Sequence, residues 1–316
     1  MDVPVNEIVT GRKTFFILPD TSLLSESYLE EFFSLGFECY FIGYDKRMDI
    51  KRQIECIISL FKDVIIFFNV DAELPGDRWD TYIEKLIKKS NGIPLFGVLY
   101  SKRQTSADKA MIEKRFLFDM GLRCGCIQLE YKKNENFELM TRSLYANQAQ
   151  GRRKTIRALC TSACTYKFVF GPKNDPYSGA LQDISLSHFS VLKKGTEPFP
   201  IKLYEKISDI HFNIKGSFFH SDAILVMERP VGDNILYVFS FVTATGASGL
   251  EPRTKSILVP VLYNMISSNC LGLLDEEYFN NEDIKTEASL FDDSNDDNQN
   301  NKTGFTFEYV EPEKDD

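Results

Sequence analysis

The sequence predicts an α/β domain followed by an all-β domain and a polar tail, and three observations carry that reading. Between about residues 13 and 148, short apolar runs alternate five times with longer amphipathic stretches. From Thr155 the texture changes to short strand-like runs separated by clusters of Gly, Pro, Asn and Asp. Beyond residue 272, Asp, Asn and Glu dominate. Strand and helix in regular alternation indicate a parallel sheet with helices on both faces. Short strands with turn signals between them indicate a small antiparallel β-barrel or sandwich. An acidic, amide-rich end is disordered by default. The expected domains are therefore 1–148 (α/β), 149–272 (β-barrel with a closing helix) and 273–316 (acidic disordered tail).

In the first domain, strands are expected at Thr14–Leu18, Glu38–Ile42, Asp63–Phe68, Ile93–Tyr100 and Cys124–Leu129. In Leu24–Leu35, residues Leu24, Tyr28, Leu29, Phe32 and Phe33 share one helical face, and Ile50–Phe61, Trp79–Lys88, Asp108–Met120 and Glu135–Ala149 behave similarly. Gly36, Gly92 and Gly121 each fall just past a helical run, where a helix-terminating residue belongs. The second domain offers strands at Tyr166–Phe170, Ala180–Leu192, Ile201–Ile207, Ser217–Met227 and Ile235–Val242. Thr254–Ser267 reads as the closing helix, kinked by Pro260. In the tail Phe305, Phe307 and Tyr309 alternate, either as leftover aromatics in a disordered end or as a strand that forms on docking.

Composition bounds the function. The chain is 43% hydrophobic, yet no run approaches the ~18 apolar residues that span a bilayer. The segment Met1–Glu7 lacks the basic and apolar regions of a secretory signal, so a cytoplasmic protein without membrane insertion is expected. Seven scattered cysteines suggest reduced, buried thiols rather than a disulfide framework. Cys124/Cys126 and Cys160/Cys164 have spacings that metal pairs use, but three histidines and no paired CxxC set argue against a zinc site. Of the net charge of −9, residues 275–316 contribute −12, fifteen acidic residues against three lysines. The remaining body is mildly basic at +3, which suits a small anion better than a long nucleic acid.

Two short segments stand out. Arg152-Arg153-Lys154-Thr155-Ile156-Arg157 places three guanidinium groups within six residues, two of them at RxxxR spacing. Gln182-Asp183-Ile184-Ser185-Leu186-Ser187-His188 places a carboxylate and a hydroxyl two residues apart in the strand-like run Ala180–Leu192, hence on one face. Guanidinium suits bidentate capture of phosphate and of the O6/N7 edge of guanine. A carboxylate accepts from guanine N1–H and N2–H, and a hydroxyl donates to phosphate. Together they suit a guanine nucleotide with more than one phosphate.

The order and separation of these segments resemble the PilZ family of cyclic di-GMP receptors. That family carries RxxxR on an entry segment and [D/N]xSxxG in a following β-barrel strand; here His188 stands where the family has Gly. The resemblance covers roughly residues 150–268. It implies a bacterial, non-enzymatic second-messenger receptor with no cofactor, binding cyclic di-GMP through Arg152, Arg153, Arg157, Asp183, Ser185 and His188. Ligand binding would change interdomain contacts or contacts with a protein partner. The His188 ring either stacks on a guanine or fills the pocket. The alternative is a degenerate PilZ-like interaction module that does not bind the nucleotide. An enzyme of nucleotide metabolism is a third reading, but no Ser-His-Asp, Cys-His or paired-carboxylate arrangement supports it. His211 and His220 read as packing or surface residues.

The first domain resembles the receiver domain of two-component signalling, a flavodoxin-like sheet. Its Asp63–Asn69 run with Leu74-Pro75-Gly76 is similar to the third receiver strand and the loop after it. Phe68 or Asn69 stands where that family places its phosphoacceptor aspartate. The acidic pair is reduced to Asp20 after Pro19, Tyr100-Ser101 stands near the usual Thr/Ser, and Glu130, Tyr131 and Lys132 compete for the lysine position. Without the aspartate nucleophile and its metal cluster, aspartyl phosphorylation is chemically unavailable. No GxGxxG or GxxxxGK[ST] supports a Rossmann or P-loop site.

Overall fold

A computed structural model of the chain describes residues 11–18, 24, 27–101, 105–130 and 132–292, with side chains as far as Asn280. Pro19, Asp20, Tyr131, Phe305, Phe307 and Tyr309 lie outside the described residues. The first sheet contains β1 (Lys13–Ile17), β2 (Cys39–Ile42), β3 (Val64–Asn69), β4 (Leu95–Tyr100) and β5 (Cys126–Gln128). All its pairings are parallel, in the order β2-β1-β3-β4-β5. That is the strand order of flavodoxin-like doubly wound sheets. β3 and β4 are buried throughout, as strands covered on both faces must be. Strand alternation sends Phe16 to one face and Phe15 and Ile17 to the other, where separate apolar clusters receive them.

Five helices cover the sheet: α1 (Ser27–Ser34), α2 (Ile50–Leu60), α3 (Trp79–Lys89), α4 (Ser106–Glu113) and α5 (Lys133–Ala146). Asp49 caps α2 by accepting from the amides of Lys51 and Arg52 at 2.9 and 3.1 Å, and the Thr105 hydroxyl caps α4 from Asp108 at 3.1 Å. Where the sequence pattern runs as one helix to Met120, α4 instead gives way at Lys114 to a π-helical turn, Lys114–Asp119.

The second sheet has eight antiparallel strands: β6 (Ala158–Leu159), β7 (Cys164–Phe170), β8 (Asp175–Ala180), β9 (Asp183–Ile184), β10 (His188–Lys194), β11 (Lys206–Ile214), β12 (Ser217–Val231) and β13 (Asn234–Val242). Their order is β6-β9-β10-β13-β12-β11-β7-β8. No ladder joins the two edges, so the expected closed barrel is instead a strongly coiled open sheet. It still encloses a core, because Phe189 on β10 meets Phe212 on β11, three places along the sheet, with ring centroids 5.0 Å apart. The expected strand Ala180–Leu192 is broken twice, into the end of β8, β9 and β10. The strand expected at Ile201 begins only at Lys206, because Tyr204 turns the chain with φ of 67°.

The last helix, α6 (Pro252–Asp292), departs furthest from expectation. It passes through Pro260, does not stop at Ser267, and continues through the first part of the expected tail. Leu258, Leu262, Met265 and Ile266 bury in an apolar cluster that includes residues of both sheets, while Cys270, Leu274 and Tyr278 bury in the second cluster of the α/β domain. Tyr263 donates to the Cys39 carbonyl at 3.2 Å, and Ser59 donates to Glu277 at 3.0 Å. By length and composition Pro252–Asn280 meets the criterion for a bilayer span, with mean hydropathy 1.6 in its most apolar window, contrary to the sequence reading. Packing on both cores uses part of that apolarity, while Ile257, Leu271, Leu273 and Phe279 on the same helix stay exposed. Burying a Leu side chain such as Leu262 contributes about 1.5–3 kcal/mol.

Leu262 is fully buried on this helix. Leu262→Ala should therefore destabilise the protein by about 2–5 kcal/mol, the range for an emptied core leucine site. Because α6 packs on both sheets, the fluorescence of Trp79, the sole tryptophan, should report the loss from the α/β domain. An unchanged Trp79 denaturation midpoint would show that α6 does not couple the two sheets.

Candidate functional site

The basic segment enters the site along a fixed path. The Arg12 amide donates to the Ala149 carbonyl at 3.2 Å, the Arg12 guanidinium to the Asn147 carbonyl at 3.1 Å, and the Gln150 amide to the Leu35 carbonyl at 2.7 Å. Gly36, with φ of +88°, lets Lys154 lie against it; a Cβ there would stand 2.5 Å from the Lys154 carbonyl oxygen. Residues 147–154 are thus seated on the α/β domain by one backbone hydrogen bond, by side-chain donors of Arg12 and Gln150, and by the close approach of Lys154 to Gly36.

Beyond Arg157 the chain becomes β6, which pairs with β9 so that Ala158 faces Ile184 and Leu159 faces Asp183. β9 pairs in turn with β10, Asp183 facing Ser190. These two short ladders set Arg157 beside Asp183, with Nη1 to Oδ2 at 3.7 Å and side chains 31% and 16% exposed. Arg153 is close enough that its guanidinium is pushed below its ordinary pKa. Burial is the main cause and the Arg157 charge adds to it, with Asp183 opposing. Arg153 and Arg157 line one cavity and Arg157 pairs with Asp183, so the surplus positive charge favours an anion. Arg152 and Lys154 are exposed beside them.

Ser185 is placed differently from the sequence expectation. It does not share a strand face with Asp183; it is buried in the turn between β9 and β10. Its hydroxyl lies 3.3 Å from the Ser187 amide and 3.1 Å from both the amide and the carbonyl of His188. It fixes the turn. Ser187 Oγ stands 2.8 Å from Thr155 Oγ1 and 2.8 Å from His188 Nδ1, which ties the basic segment to the start of β10. The sequence reading missed Thr155 and Ser187, although both lie inside the two motifs.

His188 is the first residue of β10 and is not among the residues with positive φ, so its backbone does not require the glycine the resemblance implies. Its imidazole is held below its ordinary pKa, first by burial and then by Arg157, with Asp183 opposing. At neutral pH the ring is uncharged. A cavity of about 70 Å³ lies alongside, lined by Glu38, Arg153, Thr155, Ile156 and Arg157.

Other candidates are plainer. All seven cysteines are free thiols. Among the described residues, no group of three or more His, Cys, Asp or Glu side chains is placed to hold a metal ion. His211 and His220 are surface residues, each 3.0 Å from Asp209. At the end of β3, Asn69 is buried and accepts from the Asp71 amide at 3.1 Å, and Asp71 in turn accepts from the Ser101 amide at 2.6 Å. No aspartate stands at the strand end itself.

No family model matches the sequence, and no curated protein matches it. Solved structures are similar to parts of it. The PilZ domain with c-di-GMP of YcgR from Escherichia coli is 19% identical, with a TM-score of 0.32 over 37% of this chain and 94% of that one. YcgR in complex with c-di-GMP from Escherichia coli is 16% identical, with a TM-score of 0.33 over 40% of this chain and 51% of that one. The K. pneumonia MrkH–c-di-GMP complex is 9% identical, with a TM-score of 0.33 over 38% and 55%. The chain thus spans about half the length of the latter two.

The electrostatics of His188 are testable without any ligand. The lowered folded-state value means that the unfolded chain binds the extra proton more readily, so stability rises with pH through the window just below pH 6.5 and is lost on acidification. In a ring-proton NMR titration, His188 should titrate below 6.5. Arg157→Ala should raise the midpoint and Asp183→Asn should lower it further. A wild-type midpoint at or above 6.5 would contradict this arrangement.

Proposed function

We propose that the chain is a non-enzymatic receptor for cyclic di-GMP, bound where residues 152–157 meet the start of the second sheet. The observation that carries this reading is the pairing of Arg157 with Asp183, produced by the β6–β9 ladder, with Arg153 lining the same cavity as Arg157. The guanidinium groups supply bidentate donors for phosphate oxygens or guanine O6/N7. Asp183 accepts from a guanine N–H edge or orients Arg157 toward the phosphate. The imidazole of His188, uncharged and half-buried at the rim, offers a face for a base. Arg152 adds long-range attraction for a dianion. In this reading the α/β domain is a scaffold without phosphotransfer.

The mechanism follows from the seating of residues 147–154 on the α/β domain. A ligand that draws Arg153 and Arg157 around two phosphates acts on the same segment that lies against Gly36. It therefore shifts the balance between interdomain arrangements by its differential affinity for them. The partner that reads the shift is a protein. Ser185 and His188 favour the second reading, a related module that has lost the ligand. The hydroxyl of Ser185 is already committed to its turn, and a ring occupies the position of the family's glycine.

Calorimetry separates the two. Cyclic di-GMP should bind with a dissociation constant of about 1 μM or tighter, ahead of GTP and cyclic AMP, and no heat at about 100 μM ligand would establish the second reading. Arg153→Ala and Arg157→Ala should each weaken binding at least about tenfold, since one bidentate charged contact is worth ~1–3 kcal/mol. A folded variant of either residue that binds like the wild type would remove that residue from the site.

A further inference from the structure

Glu38, immediately before β2, belongs to the α/β domain, and neither sequence motif includes it. Its side chain is only 12% exposed. Oε1 accepts from both the Lys13 ammonium and the Tyr40 hydroxyl, while no hydrogen bond or ion pair within the described residues involves Oε2. Glu38 lines a cavity together with Arg153, Thr155, Ile156 and Arg157. No ion pair joins it to either arginine. A largely enclosed carboxylate, gripped through one oxygen, thus faces two guanidinium-bearing residues across an open space.

That pairing of opposite chemistries fits one class of heterocycle. Guanine presents donors, N1–H and N2–H, on one edge and acceptors, O6 and N7, on another. We propose that Glu38 is a base-reading residue, the α/β domain's own contribution to guanine specificity at the dinucleotide site, an inference that rests on the receptor reading above. Oε2 accepts from the donor edge, and an arginine guanidinium takes the acceptor edge. Lys13 and Tyr40 hold Oε1, which limits the directions in which Oε2 can point. The cavity of about 70 Å³ admits a base only when the exposed Arg153 side chain swings outward. Adenine is the poorer fit: beside its single N6 amino donor stands the N1 acceptor, whose lone pair would face the carboxylate, and it has no O6 for the guanidinium. Selectivity against adenine then comes from one domain and phosphate affinity from the other.

The experiment compares dissociation constants for cyclic di-GMP and cyclic di-AMP in the full chain and in Glu38→Gln, with the melting temperature of each protein as a check on folding. Glu38→Gln should weaken cyclic di-GMP at least tenfold and leave cyclic di-AMP unchanged or tighter, so that their ratio narrows by the same factor. Glu38→Asp keeps the charge for Lys13 but withdraws the carboxylate by one methylene; it should also narrow the ratio, which covers the case in which Glu38→Gln does not fold. Equal weakening of both ligands would assign Glu38 a structural role and overturn base reading. So would wild-type affinity and ratio in the folded variants, leaving the receptor reading intact. A wild-type chain that binds no cyclic di-GMP overturns both.

Discussion

Burial of one face of α6 against two different sheets is the constraint on which the remaining architecture depends. Leu258 and Leu262 fill the core under the coiled antiparallel sheet, and Cys270, Leu274 and Tyr278 fill the space beside α2. The helix is 41 residues long, far longer than either sheet needs for a cover. The stretch from Leu258 to Tyr278 serves both. Residues of the parallel sheet, such as Phe16 and Phe67, and of the antiparallel sheet, such as Phe189 and Phe212, fall in one continuous apolar cluster. Close-packed interiors of this kind transmit displacement instead of absorbing it.

Given that shared core, the short segment before β6 has little freedom. It is held from one side by backbone contacts to the α/β domain and from the other by a two-residue strand pairing. The candidate site is assembled at that junction from elements each too short to be stable alone: β6 and β9 contribute two residues apiece. Their registration brings the Arg157 guanidinium to Asp183, and the Thr155–Ser187–His188 hydrogen bonds add a lateral tie. Charge crowding between Arg153 and Arg157 is the electrostatic cost of this geometry, and a bound anion relieves it.

Much of this was legible in the chain itself. The sequence runs Asp63–Phe68 and Ile93–Tyr100 are so uniformly apolar that they read as strands of a parallel sheet, close to the observed β3 and β4, and the two arginines and Asp183 declare themselves by residue type and spacing. Other features were hidden for definite reasons. Ala180–Leu192 has continuous strand character, so periodicity gave no warning of the Ser185–Ser187 turn, which side-chain-to-backbone bonds hold. The helix beyond Ser267 was obscured because acidic composition from Asp275 outweighed the apolar residues Leu274 and Tyr278. Openness of the second sheet depends on coiling, which no local pattern encodes. Glu38 lies 115 residues before Arg153 in the sequence, so only folding brings the two to one cavity.

The approach of Lys154 to Gly36 has a mechanical consequence. Most domain contacts are cushioned by side chains that change rotamer and let two bodies creep past one another. Here a carbonyl rests against a residue without a Cβ, and the Gln150 side chain beside it is tied to the Leu35 carbonyl, so little is left to absorb a partial displacement. The segment is either seated or lifted. A junction built this way favours a click-stop over a spring, and a ligand acting through it in the proposed manner would change the number of molecules in each position rather than how far each one has moved.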